Sequence, residues 1–91
     1  MRYFRTAAFT RAYHGFDPPQ QRRVNKALEQ LAILFARSQR PFGIGLKMLK
    51  PGIWEIRVTR AERILFRWTG DVVELLIVGN HEDIRRLLKR L

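Results

Sequence analysis

Cysteine is absent from the 91 residues. That excludes disulfides, thiolate metal sites and thiol nucleophiles together, and it suits a reducing cytoplasm. Serine is almost absent: Ser38 stands alone, so no serine–histidine–aspartate constellation can be assembled. With only His14 and His81 present, a zinc site would need carboxylate help at suitable spacing, and no metal is expected. No apolar run approaches the roughly 18 residues that a spanning helix requires, and the arginine-studded N-terminus lacks a signal-peptide core, so no membrane association is expected. Repeats, linkers and low-complexity stretches are missing too. The Gly43-Ile44-Gly45 stretch lacks the lysine–serine/threonine tail of a phosphate-binding loop, so no nucleotide cofactor is implied.

What the chain does have is positive charge. Eighteen basic residues against eight acidic ones give +10, and 14 of the 18 are arginine. The planar guanidinium fork suits bidentate phosphate contact, so the bias fits a polyanionic partner, either nucleic acid or an acidic protein. The excess is spread along the chain, with eight basic and two acidic residues in 1–45 and ten and six in 46–91. It therefore belongs to a folded surface rather than to a tail. The length favours one domain spanning residues 1–91, and 46% hydrophobic residues suffice for a small core.

Arg2 to Thr10 reads as a first strand and Ala12 to Phe16 as a connector, with His14 a turn residue. Asp17-Pro18-Pro19-Gln20 supplies a helix start, with Asp as N-cap, Pro at N1 and Gln at N3. Val24, Ala27, Leu28, Leu31, Ala32, Leu34 and Phe35 then recur at three- and four-residue steps as one apolar stripe. The helix fades by Arg37, and Pro41, Gly43 and Gly45 mark a loop. Trp54, Ile56 and Val58 alternate with polar residues, as do Ile64, Phe66 and Trp68. Sharing one apolar face predicts Val58 opposite Ile64, Ile56 opposite Phe66 and Trp54 opposite Trp68, with Arg60 to Glu62 as the turn. Gly70-Asp71 signals a second hairpin that places Phe66 opposite Leu75 and Ile64 opposite Ile77. Val72 to Val78 is almost continuously apolar, as in a strand covered on both faces, with the first strand the candidate for its free edge. Asn80 caps a last helix whose stripe is Ile84, Leu87, Leu88 and Leu91. The expected architecture is α+β, in the order β-α-β-β-β-α: a mainly antiparallel four-stranded sheet packed by the amphipathic helix, with a short C-terminal helix.

That register places Glu55, Arg67 and Glu74 side by side as a charge ladder, which makes Arg67 structural. At the other end of the sheet Arg63 faces Val78, Arg57 lies one step along, Arg60 sits in the turn, and His81 follows the strand. No carboxylate is expected to neutralise Arg57 or Arg63. Two such arginines beside a histidine form a candidate phosphate site, and histidine can move protons near neutral pH. The same residues also fit a solvated basic rim, with His81 a helix-start hydrogen bonder. Lys47 and Lys50 would extend that rim.

Lys47-x-Leu49-Lys50-x-Gly52-x-Trp54-Glu55-x-Arg57-Val58, then Arg63-Ile64-x-Phe66, then a strand ending Val78-Gly79-Asn80-His81, resembles the RelE/ParE toxins of bacterial and archaeal toxin–antitoxin pairs. Phe9 and the helix from Pro18 suit that family's N-terminal half. The resemblance implies a small RelE-like fold. In RelE-, YoeB- and HigB-like members it further implies metal-independent cleavage of mRNA, usually on the ribosome. There the RNA's own 2′-hydroxyl attacks the adjacent phosphate, and the protein supplies a base, an acid and cations. Arg63 falls at the arginine that YoeB-like toxins use at the scissile phosphate, His81 at their late histidine, and Arg57 at the arginine of the preceding strand. Lys47 replaces their catalytic glutamate, although RelE-like members work with basic residues there. Glu82 replaces the arginine of the glycine-histidine-arginine ending of RelE relatives. Lys47, Lys50, Arg57 and Arg60 would contact RNA. ParE-like members share the fold but inhibit gyrase and need none of this chemistry, and a degenerate member would bind only RNA or its partner. In every branch a separate acidic antitoxin is the implied partner, and the cytoplasm the implied location.

Overall fold

The computed structural model describes residues 1–38 and 43–91; the loop expectation at Pro41 lies outside them. The order of elements is β1 (Arg2–Arg5), α1 (Ala7–His14), α2 (Pro18–Arg37), β2 (Lys47–Lys50), β3 (Ile53–Arg57), β4 (Arg63–Thr69), β5 (Val72–Gly79) and α3 (His81–Leu88). The class is α+β, as expected, but the sheet has five strands in the order β1-β5-β4-β3-β2. β1 joins the free edge of β5 and runs parallel to it; the other pairs are antiparallel.

The first strand stops five residues short of its expected end. Thr6 turns the chain: its hydroxyl accepts from the Phe9 peptide N–H and donates to the Leu76 carbonyl. Ala7, Ala8 and Ala12 favour helix, so a cap followed by good helix formers overrides the strand preference of Phe9 and Thr10. Phe9 thereby becomes a buried core residue, and His14 is the last residue of α1 rather than part of a connector. α2 begins as its sequence predicts, with Asp17 and Gln20 closing a reciprocal capping box. Of its stripe, Val24, Ala27 and Leu31 are buried, while Ala32 is exposed.

Helices cover both faces of the sheet. On one face α1 and α2 pack Phe9, Val24 and Leu31 against Ile56, Ile64, Phe66 and Val73. On the other, Ile84 of α3 rests on Ile53, Leu65 and Leu76. Each of these fully buried aliphatic and aromatic side chains contributes about 1.5–3 kcal/mol by transfer from water.

Two register differences shape the polar face. β3 and β4 pair with Ile56 opposite Ile64 and Trp54 opposite Phe66, a slip of two residues that keeps every apolar side chain on its expected face. The turn enforces it: the Thr59 hydroxyl accepts from the Ala61 and Glu62 peptide N–H groups and donates to the Glu62 carboxylate. In the next hairpin Phe66 pairs with Leu75 as expected, but an extra residue on β5 then puts Ile64 opposite Val78 and Arg63 opposite Gly79. The bulge leaves Leu76 and Ile77 on the same face: both pack on the α3 side, while Leu75 and Val78 join the core under α1 and α2. Gly70, at φ +59°, makes the tight turn between these strands.

Candidate functional site

The polar end of the sheet lies on the α3 side. There Lys47 of β2 stands directly opposite Glu55 of β3, and Arg57 opposite Arg63. A groove of about 290 Å³ opens over this end, lined by Lys47, Leu49, Glu55, His81, Ile84, Arg85 and Leu88. Its floor is sheet and its wall is the first two turns of α3.

His81 occupies the first position of that helix. Asn80 and Asp83 close a capping box, each side chain accepting the other's peptide N–H at 3.0 Å. Gly79 is required just before it, because a Cβ there would lie 2.8 Å from the Asp83 Cβ and 2.9 Å from its Cγ. His81 is exposed and fixed in position by this cap.

Arg63 is held far more tightly than a rim arginine. Its Nη1 donates to the Thr59 carbonyl at 2.6 Å and shares contacts with the Glu62 and Arg60 carbonyls at 3.2 and 3.3 Å. Its Nε lies 3.6 Å from the Glu55 carboxylate, both side chains being only 13% exposed. The expectation that no carboxylate neutralises Arg63 is therefore corrected. The two-residue slip moves Glu55 out of the ladder with Arg67 and into diagonal reach of Arg63. Arg67 and Glu74 remain a facing pair at 2.8 Å, as expected.

Arg57 is exposed and turned elsewhere. Its side chain arches over Gly45, where an added Cβ would meet the Arg57 Cβ at 3.0 Å and Cζ at 3.3 Å. It lines a second cleft of about 280 Å³ with Arg23, Lys26 and Gln30 of α2. None of these three cations has a carboxylate partner among the described residues. Lys50 is exposed, but its ammonium donates to the Leu88 and Leu91 carbonyls and ties β2 to the end of α3. Arg60 is exposed in the Thr59–Glu62 turn.

The structure thus gathers Lys47, His81 and the Glu55–Arg63 pair on one face and sets Arg57 apart. Glu55 was assigned by sequence to a structural ladder. Alternation identified its face but could not identify its neighbours without the register. Among the described residues no three histidine or carboxylate side chains cluster so as to hold a metal ion, and no helix is long and apolar enough to cross a membrane.

Comparisons with known proteins agree on one lineage. The sequence profile of the ParE-like toxin domain matches residues 21–86. A YoeB/ParE toxin from Agrobacterium tumefaciens superposes with a TM-score of 0.69 at 21% identity, covering 89% of this chain and 99% of that one. The RelB–RelE antitoxin–toxin complex from Methanococcus jannaschii contains a chain that matches at TM-score 0.68 and 14% identity, over 92% of this chain and 96% of that one. For the YoeB–YefM complex from Staphylococcus aureus the values are 0.67 and 14%, over 89% and 97%. No curated protein sequence matches the chain. At such identities the solved structures establish the shared fold, and the profile, which spans well over half of the sequence, establishes the family. With that profile on a five-stranded sheet clad by helices on both faces, this chain belongs to the ParE-like toxin domain family.

Proposed function

We propose that the protein is a metal-independent endoribonuclease that cleaves mRNA, on the ribosome, by attack of the 2′-hydroxyl on the adjacent phosphate. One observation carries this reading: a nearly buried arginine, Arg63, is fixed by turn carbonyls and Glu55 beside a groove that also holds His81 and Lys47. A cation held rigidly before substrate arrives stabilises the developing charge of a pentavalent phosphate without reorganising. Nη1 and Nε of Arg63 are engaged, which leaves Nη2 to meet the phosphate. His81, exposed at the helix start, moves a proton, and Lys47 adds a second cation. Lys50, Arg57 and Arg60 hold the flanking backbone. A gyrase-directed ParE-like toxin would use none of this arrangement.

The partner is an acidic antitoxin, which neutralises the +10 surface. Two of the structural relatives are themselves toxin–antitoxin complexes, RelB–RelE and YoeB–YefM. Such a partner acts either by covering the groove or by loosening α3, whose first residue is His81. The proposed setting is the cytoplasm, where mRNA, ribosome and antitoxin meet.

The test is RNA integrity shortly after induction, with Arg63→Lys and His81→Gln as comparisons. Lysine keeps the charge but loses the fork that Thr59 and Glu55 hold. Each variant should slow cleavage by about 10²-fold or more while remaining folded. Growth arrest with intact mRNA, or full cleavage by both variants, would refute the reading.

A further inference from the structure

The nuclease reading needs a group to take the proton from the attacking 2′-hydroxyl, and the present inference rests on that reading. We propose that Glu55 is this general base. Lys47 and Arg85, which also line the groove, are hydrogen-bond donors with no acceptor. Glu55 lies directly across the strand pair from Lys47, so its carboxylate opens onto the same groove. The other carboxylates of this end are committed elsewhere. Glu62 is hydrogen-bonded by the Thr59 hydroxyl at 2.8 Å, Asp83 caps α3, and Glu82 pairs with Arg85 at the exposed surface. Among the described residues, Glu55 is the carboxylate that lines the groove with His81.

Its bonding fits the role. Among the described residues the partner of Glu55 is Arg63, at 3.6 Å, too long for a hydrogen bond, so its lone pairs remain available. Leu49, Ile84 and Leu88 form an apolar wall beside it that limits competing water. An entering phosphodiester gives Arg63 a second anion to bind and Lys47 a first. Arg63 is then shared with the phosphate, and the carboxylate is left facing the 2′-hydroxyl.

In the step itself the 2′-hydroxyl proton passes to Glu55 and the 2′-oxygen bonds to phosphorus. The bond from phosphorus to the 5′-oxygen breaks, and protonated His81 gives its proton to that oxygen. The products are a 2′,3′-cyclic phosphate and a 5′-hydroxyl end, with no metal, oxidant or water consumed. Base and acid are thus assigned to different residues, which makes them separable.

The separating experiment uses an mRNA oligonucleotide, alone and programmed into ribosomes, with sulfur replacing the bridging 5′-oxygen at the cleaved linkage. A thiolate leaves without being protonated, so this substrate needs the base but not the acid. On ordinary RNA, Glu55→Gln and His81→Gln should each lose about 10²–10⁴-fold in rate. On the sulfur-bridged RNA His81→Gln should recover and Glu55→Gln should not. Glu55→Asp, which keeps the charge opposite Lys47 and beside Arg63, serves if the glutamine variant is unfolded by circular dichroism; it should show the same unrecovered loss, smaller in size. Recovery of the Glu55 variants on the sulfur substrate, or wild-type rates on ordinary RNA, overturns the assignment while leaving the nuclease reading intact. A wild-type protein that cleaves neither substrate, with or without ribosomes, overturns the nuclease reading and the assignment together.

Discussion

Gly79→Ala is a small perturbation with a large expected effect. The backbone at Gly79 is not left-handed, so alanine is tolerated there as far as φ is concerned. The obstacle is Asp83, whose Cβ and Cγ would stand 2.8 and 2.9 Å from the new methyl group, closer than such atoms pack. Asp83 must swing away, and the hydrogen bond it accepts from the Asn80 peptide N–H is lost. A cap contact of this kind is worth about 1 kcal/mol, and displacing the first turn of α3 from Ile53, Leu65 and Leu76 adds a comparable amount of lost packing. The total is roughly 2 kcal/mol. With a urea dependence of about 1–2 kcal/mol per molar for a chain this small, the unfolding midpoint should fall by roughly 1–2 M. Urea titration followed by circular dichroism measures this directly. The clash also predicts non-additivity. Asp83→Gly removes both obstructing carbons, so Gly79→Ala in that background should cost much less than it does alone. A fully additive double variant, or a midpoint unmoved by Gly79→Ala, would show that the capping box does not depend on the glycine.

Two further predictions concern charge. Replacing Arg23 and Lys26 together by alanine should reduce the slope of log RNA affinity against log salt by about two, if the cleft they share with Arg57 grips phosphates. An unchanged slope in fluorescence anisotropy would remove that cleft from the RNA interface. Arg67→Ala should cost under about 1 kcal/mol and leave RNA cleavage unchanged, because its partner Glu74 is half-exposed and both lie away from the groove. A cleavage defect without a stability loss would contradict that structural role.

The long elements were legible because several signals coincided. α2 carried a cap, a proline, a capping-box glutamine and an unbroken apolar stripe, and β5 carried an apolar run too short for a helix and too continuous for a half-exposed strand. α1 was not legible because Thr6 and the aromatics around it weigh towards strand, and the decisive contact is tertiary: the Thr6 hydroxyl reaching the Leu76 carbonyl. β2 was obscured by its own protection, since an edge strand of four residues with lysine at both ends disguises the alternation that would reveal it. The Glu55–Arg63 pair was hidden for a different reason. Period-two patterning fixes which face a residue occupies, but neighbours across strands depend on turn hydrogen bonds such as those of Thr59, which composition does not display.

The extra residue in β5 bears on how this small sheet can change through evolution. It is slack in the strand: Leu76 and Ile77 both lie on the α3 side, between Leu75 and Val78 on the other. Removing Leu76 would restore regular alternation with β4 and still leave Leu65 opposite Ile77, Ile64 opposite Val78 and Arg63 opposite Gly79. The cap at Asn80 and the groove wall that begins at His81 would keep their place over the sheet. The loss would be an apolar side chain on which Ile84 rests, a matter of stability rather than of geometry. A single-codon deletion inside an apolar strand, ordinarily ruinous to register, is therefore absorbed at this point, and the groove stays assembled.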